Sequence, residues 1–216
     1  MTSSKKVLVW DLPVRIFHWL LAISFFGAWL TAENEGYEML HYAFGYTAGF
    51  LVLFRIIWGV IGSRYARFSG FIKGPKAIFH HMVNMMKGKF DETYLGHNPA
   101  GAIVMIGLML LTLATVATGY LNLNELFGES TEELHEGLAN IMMGVVVVHI
   151  LASFVMSFIQ KENLPRAMIT GKKRSLNQSL AIKSSHFVIG LLLLIVTYYF
   201  FWIVYAGVIP QLTPES

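Results

Sequence analysis

Eight histidines are the only strong metal-binding side chains in this 216-residue chain, which contains no cysteine. The missing sulfur excludes disulfides, thiolate zinc sites, iron–sulfur clusters and covalent c-type haem attachment. What remains is coordination by imidazole nitrogen. Four of the eight, His18, His41, His135 and His149, fall inside stretches that are otherwise nearly free of charge. An ionisable group at membrane depth is expensive unless it has a partner or a task. His135 and His149 are 14 residues apart, which on a helix means about 40° of rotation and about 21 Å of rise. They share one face at two depths.

Those depths presuppose a bilayer, and the composition calls for one. Hydrophobic residues make up 55% of the chain and charged residues 13%, with a mean hydropathy of +0.57. A soluble surface needs more polar groups than that. About 20 apolar residues cross the hydrocarbon core, and five stretches qualify: Val14 to Thr31, Met39 to Ile61, Pro99 to Leu121, Leu134 to Ile159 and Ser184 to Val208. The fold class is therefore an all-α integral membrane protein. Asn98 before Pro99 supplies an N-cap followed by proline at the first helical position. The first stretch is not read as a cleaved signal peptide, because an acidic turn leads directly into the next span.

Positive charge orients the spans, since cytoplasmic loops collect Lys and Arg. With the N-terminus inside, all sixteen Lys and Arg lie on the inner side against Asp11, Asp91, Glu92 and Glu162, which leaves +12 there. Glu33, Glu35, Glu38, Glu125, Glu129, Glu132, Glu133, Glu136 and Glu215 all fall outside, giving −9. Two inner segments interrupt the spans. A basic loop of about residues 63–97 contains PKAIFHHMVNMMK (Pro75 to Lys87), which reads as an interfacial amphipathic helix on the anionic leaflet. A polar linker, residues 161–183, precedes the fifth span and is read as a loop.

In this orientation His18 lies in the inner half with His149, and His41 in the outer half with His135. Two bis-histidine sites then stack across the membrane, and bis-imidazole coordination suits haem b, which needs no cysteine to be retained. Gly45, Gly49, Gly137 and Gly144 would give a porphyrin room, or would let helices approach closely, as small residues do in membranes. Arg15, three residues before His18, and Arg55 would pair with the propionates of the inner haem. The alternative for both is snorkelling to the inner interface. His80 and His81 are expected on a solvated surface. His97 and His186, at span edges, are either structural or in contact with a quinone.

The segments WDLPVRIFHW (Trp10 to Trp19), His41, FRIIWG (Phe54 to Gly59), GHNPAG (Gly96 to Gly101), ELHEG (Glu133 to Gly137) and VVVVH (Val145 to His149) resemble the bacterial cytochrome b561 family over about residues 7–175. That family includes b-type subunits of nickel–iron hydrogenases and di-haem cytochromes that accompany periplasmic c-type haem proteins. ENLPRAMITGKKR is most similar to the second branch. The resemblance implies a four-helix bundle, residues 1–160, that holds two haems b through His18 with His149 and His41 with His135. It implies electron transfer between the quinone pool and a partner. Residues 161–183 are then a cytoplasmic linker, and residues 184–216 a fifth transmembrane helix with a short outer tail, for which partner docking is the leading role.

Several functions compete. An electron conduit would link a membrane quinone to a periplasmic c-type cytochrome or other basic redox protein in the bacterial inner membrane; nucleic acid is not an expected partner. A superoxide:quinone oxidoreductase is second, because an outer face of −9 repels an anionic substrate and steers a basic protein. A hydrogenase-like complex is a further alternative within the family. A non-redox transporter would need broken helices or an inverted repeat, and neither is visible. The quinone site is either inner, near His18, Arg15 and the basic loop, or outer, near His41.

Overall fold

The computed structural model describes residues 5–34, 36–71, 74–87, 94–209 and Leu212. Glu35, Lys73, Lys89, Asp91, Glu92 and Glu215, counted in the charge balance, lie outside the described residues. Five helices are long and apolar enough to cross a membrane: α1 (Leu12–Thr31), α2 (Glu38–Ile61), α4 (Pro99–Leu123), α5 (Glu129–Ile159) and α7 (Phe187–Tyr205). The shorter helices are α3 (Pro75–Met86) and α6 (Leu164–Thr170), and two strands, β1 (Lys5–Leu8) and β2 (Lys172–Ser175), pair antiparallel.

The helix boundaries follow from local chemistry. Asp11 starts α1 by accepting from the amide of Val14 at 2.9 Å, with Pro13 in the first turn. Asn98 starts α4 in the same way, accepting from the amide of Gly101 at 2.7 Å. Both are side-chain caps that satisfy amides otherwise left without partners. α5 begins five residues before the expected span. Glu129 and Glu132 in its first turn favour a helix N-terminus in water, so the helix outlasts the apolar stretch that marked the bilayer. α3 coincides with the amphipathic segment, and Phe79 and Met82, one turn apart, are both exposed there, as expected of a helix lying on lipid.

The spans form two close pairs, α1 with α2 and α4 with α5, joined chiefly where α2 meets α4. α7 packs on α1 and α2. Phe200 stacks on Phe50 at 5.0 Å and Phe201 lies 4.9 Å from Phe44. Gly190 lets the pair approach, since a Cβ there would meet Leu12 at 2.7 Å. The fifth helix is thus an integral part of the bundle.

The segment of residues 161–183, read from the sequence as a loop, is folded. The amides of Val9 and Trp10 both donate to the carbonyl of Gly171, at 2.8 and 3.0 Å. Gly171 has a φ of +76°, and a Cβ there would stand 2.5 Å from the carbonyl oxygen of Trp10, so both the backbone conformation and the space require glycine. The amide of Ile182 donates to Leu8, that of Leu12 to Ser185, and the Tyr65 hydroxyl to Leu180. Val7, Val9, Trp10, Val14, Trp58, Ala66 and Ala167 close a small apolar core beneath this cap. The N-terminal strand thereby ties the linker to the start of α1, the end of α2 and the start of α7.

Candidate metal centres

Each of the four intramembrane histidines faces another across the bundle. The rings of His18, in the second turn of α1, and His149 of α5 have centroids 6.5 Å apart. Those of His41, in the first turn of α2, and His135 of α5 are 6.1 Å apart. A metal held between two rings by bonds of about 2.0–2.1 Å, with about 1.1 Å from nitrogen to ring centre on each side, would set the centroids up to roughly 6.3 Å apart. Both pairs fall within a few tenths of an ångström of that span.

The donor set also fits one particular kind of metal group. Among the described residues no three His, Asp or Glu side chains converge on a point. A bare ion bound by protein needs about four ligands or more, whereas two opposed nitrogens suit an iron whose remaining ligands come from a macrocycle. α5 packs on α4 and α6, while α1 and α2 pack on each other and on α7. Among the glycines, a Cβ added at Gly45, Gly137 or Gly144 would meet nothing within 4 Å. Gly49 differs: its Cβ would meet Val116 at 3.2 Å, so there the close packing of α2 on α4 explains the glycine.

The two pairs are held differently. Nδ1 of His41 lies 2.9 Å from the carbonyl oxygen of Ala28. Nδ1 of His135 lies 2.8 Å from that of Thr115 and 3.4 Å from the hydroxyl of Thr118. A carbonyl only accepts, so each outer ring carries its proton on Nδ1 and keeps the Nε2 lone pair for a metal. In the inner pair, Nδ1 of His18 is buried with no hydrogen-bond partner in the protein.

Several polar groups lie at the same end of the bundle as the His18–His149 pair. Arg55 is 1% exposed; one terminal nitrogen donates to the carbonyl of Ala66 at 2.9 Å, the guanidinium lies 5.0 Å from the Phe68 ring, and Nη1 has no partner. An unpaired, buried guanidinium nitrogen calls for an anion. Arg15 instead donates from Nη2 to the carbonyl of Ile169, holding α6 against α1, with its Nε buried and unpaired. His97 packs edge-on to Trp10 and 4.8 Å from Phe71. Burial, followed by the charges of Arg55 and Lys173, pushes its pKa down to about 3, so it is neutral. Lys173, on β2, donates to the carbonyl of Tyr94 at 2.9 Å, and burial lowers its pKa.

The remaining histidines lie apart from the two pairs. His186 precedes α7 with a φ of 50° and sets its ring 5.3 Å from Trp58. His81 lies 5.4 Å from Tyr94, and exposed His80 is within 3.3 Å of Asn84. Spacing of histidines could not reveal Ala28, Thr115, Thr118 or Gly119, which lie against the His41 and His135 rings. The only signal for Gly119 is a glycine near the outer end of a span, at the depth of His135.

Comparison with known proteins agrees with this geometry. The family model described as prokaryotic cytochrome b561 matches residues 9–171. A probable Ni/Fe-hydrogenase 1 B-type cytochrome subunit of Escherichia coli (strain K12) is 25% identical over 136 residues, 52% of this chain and 58% of its own. A probable Ni/Fe-hydrogenase B-type cytochrome subunit of Azotobacter chroococcum is 29% identical over 123 residues, 46% of this chain and 51% of its own. The chain thus spans little more than half the length of these two. A third, from Bradyrhizobium diazoefficiens, is 24% identical over 212 residues, covering 78% and 86%. No solved structure matches. With paired intramembrane histidines, five spans and a family match over three-quarters of its length, the chain is a multi-pass membrane protein that belongs to the prokaryotic cytochrome b561 family of b-type electron-transfer cytochromes.

Proposed function

We propose that the protein carries electrons across the bacterial inner membrane through two stacked haems b, between the quinone pool and a periplasmic haem protein. His18 and His149 hold the inner haem, and His41 and His135 the outer one. The observation that carries this reading is the spacing of the two histidine pairs, 6.5 and 6.1 Å between ring centroids, at positions 14 residues apart on one helix. Haem b bound there supplies one-electron chemistry. The chain's own part is to aim four Nε2 lone pairs, to keep water from the sites and to neutralise the inner propionates, a task for Arg55 with its free Nη1 and for the Nε of Arg15.

The N-terminus is cytoplasmic and the C-terminus periplasmic, as the sidedness of charge argues. The acidic outer face favours a basic partner such as a c-type cytochrome and disfavours superoxide. The names of the relatives favour a second reading, a membrane subunit of a hydrogenase-like complex on the same side. One experiment separates these. Purified protein is reduced with a quinol analogue and then mixed with candidate periplasmic haem proteins, superoxide or a nickel–iron hydrogenase. Two low-spin haems b per chain and rapid exchange with the basic haem protein are expected. A single haem, or exchange with superoxide alone at physiological salt, would overturn the proposal.

A further inference from the structure

α4 carries none of the four histidines, yet its outer third forms the wall on which one of them rests. Nδ1 of His135 points at the Thr115 carbonyl, 2.8 Å away. The Thr118 hydroxyl already donates to the carbonyls of Ala114 and Thr115 at 3.0 Å, so towards His135 at 3.4 Å it is left to accept. The ring reaches that carbonyl by lying over Gly119. A Cβ at position 119 would stand 2.9 Å from Cε1 and 3.0 Å from Nδ1 of His135, but 3.8 Å from Nε2. The imidazole is therefore in contact with α4 along its Nδ1–Cε1 edge and turns its Nε2 side away. Neither α4 nor α5 can give way cheaply, because they pack on each other over much of their length.

We infer that Gly119 is a positioning residue for the outer metal centre. By having no side chain it lets the Thr115 carbonyl fix the His135 ring in the Nδ1–H form, with Nε2 presented to His41. The same device operates opposite, where the Ala28 carbonyl fixes His41 at 2.9 Å. One helix of each pair thus supplies a histidine, and its neighbour supplies the carbonyl that aims it. The inner pair lacks this arrangement at His18, whose Nδ1 has no partner. Substitution at Gly119 acts through His135 and touches the outer centre alone.

This inference rests on the di-haem reading above, and the test keeps the two apart. Full-length protein carrying Gly119→Ala is compared with the parent and with Gly107→Ala, because a Cβ at Gly107, on the same helix, meets nothing within 4 Å. Haem-to-protein ratio, low-spin electron paramagnetic resonance and redox midpoints are read in all three. Gly119→Ala is expected to weaken the outer site about 10–100-fold, as for other residues that orient metal ligands. The signal and midpoint of one haem shift or vanish while the other haem is untouched, and Gly107→Ala matches the parent. Nitrogen-15 spectra of histidine-labelled parent protein should also show solvent-protected Nδ1 protons on His41 and His135, which keeps the inference testable where the variant fails to fold. Unchanged haem signals in Gly119→Ala, an equal effect of Gly107→Ala, or an unprotected Nδ1 on His135 would each overturn it. A parent protein with fewer than two haems would defeat the di-haem reading, and the nitrogen-15 measurement would still decide whether the Thr115 carbonyl fixes the His135 ring in its Nδ1–H form.

Discussion

Trp58 donates its indole N–H to Oδ2 of Asp11 at 3.1 Å, while Oδ1 of the same carboxylate caps α1 through the amide of Val14. Asp11 is fully buried. One side chain therefore starts the helix that carries His18 and bolts it to the C-terminal end of α2. Asp11→Ala removes the cap, worth about 1 kcal/mol, and leaves a buried indole N–H unpaired, at about 1–3 kcal/mol more. Thermal unfolding in detergent should show a clear drop for Asp11→Ala. Asp11→Asn keeps the cap oxygen and should fall between the two.

Removing a single histidine should report which haem it serves. His135→Ala is expected to lower the haem content by one and to leave the low-spin signal of the inner centre as it was. His149→Ala should do the converse. Pyridine haemochrome assay with electron paramagnetic resonance checks both. Loss of both signals in either variant would mean that the pairing is wrong.

The contrast between the two arginines makes a third test. Arg55 is fully buried with a free Nη1, whereas Arg15 is partly exposed and bonded to Ile169. Removing a buried positive charge destabilises an added electron nearby, and at an effective dielectric near 20 the shift is on the order of tens of millivolts. Arg55→Gln should lower the midpoint of one haem by that amount and leave the other in place. Arg15→Gln should move it less, since solvent screens an exposed charge.

His97 predicts an acid limb in stability. Its folded pKa is about 3 against an ordinary value of 6.5, burial being the main cause. Above pH 6.5 neither state binds the proton and nothing is lost. As the pH falls from 6.5 towards 3, the unfolded chain takes up a proton that the folded chain refuses. Stability then declines by up to about 1.4 kcal/mol per pH unit. His97→Phe, which keeps a ring against Trp10 and Phe71, should flatten that limb between pH 6 and 4 when the unfolding midpoint is followed across pH.

Much of this protein is legible in its sequence because a bilayer imposes simple rules. Apolar length and the exclusion of charge mark α1, α2, α4, α5 and α7. Helix rise alone puts His135 and His149 at two depths. What spacing could not supply is rotation about each helix axis, since lipid-facing and bundle-facing positions are equally apolar. Only the packed structure decides that Gly45, Gly137 and Gly144 are open while Gly49 abuts Val116. The cap was invisible for another reason: β1 and β2 are four residues each and pair across more than 160 positions of chain, and such short strands carry no periodicity of their own. The aiming of His41 and His135 belongs to the same class, because it rests on the carbonyls of Ala28 and Thr115. Every residue has a carbonyl, and only tertiary packing determines which one an imidazole will meet.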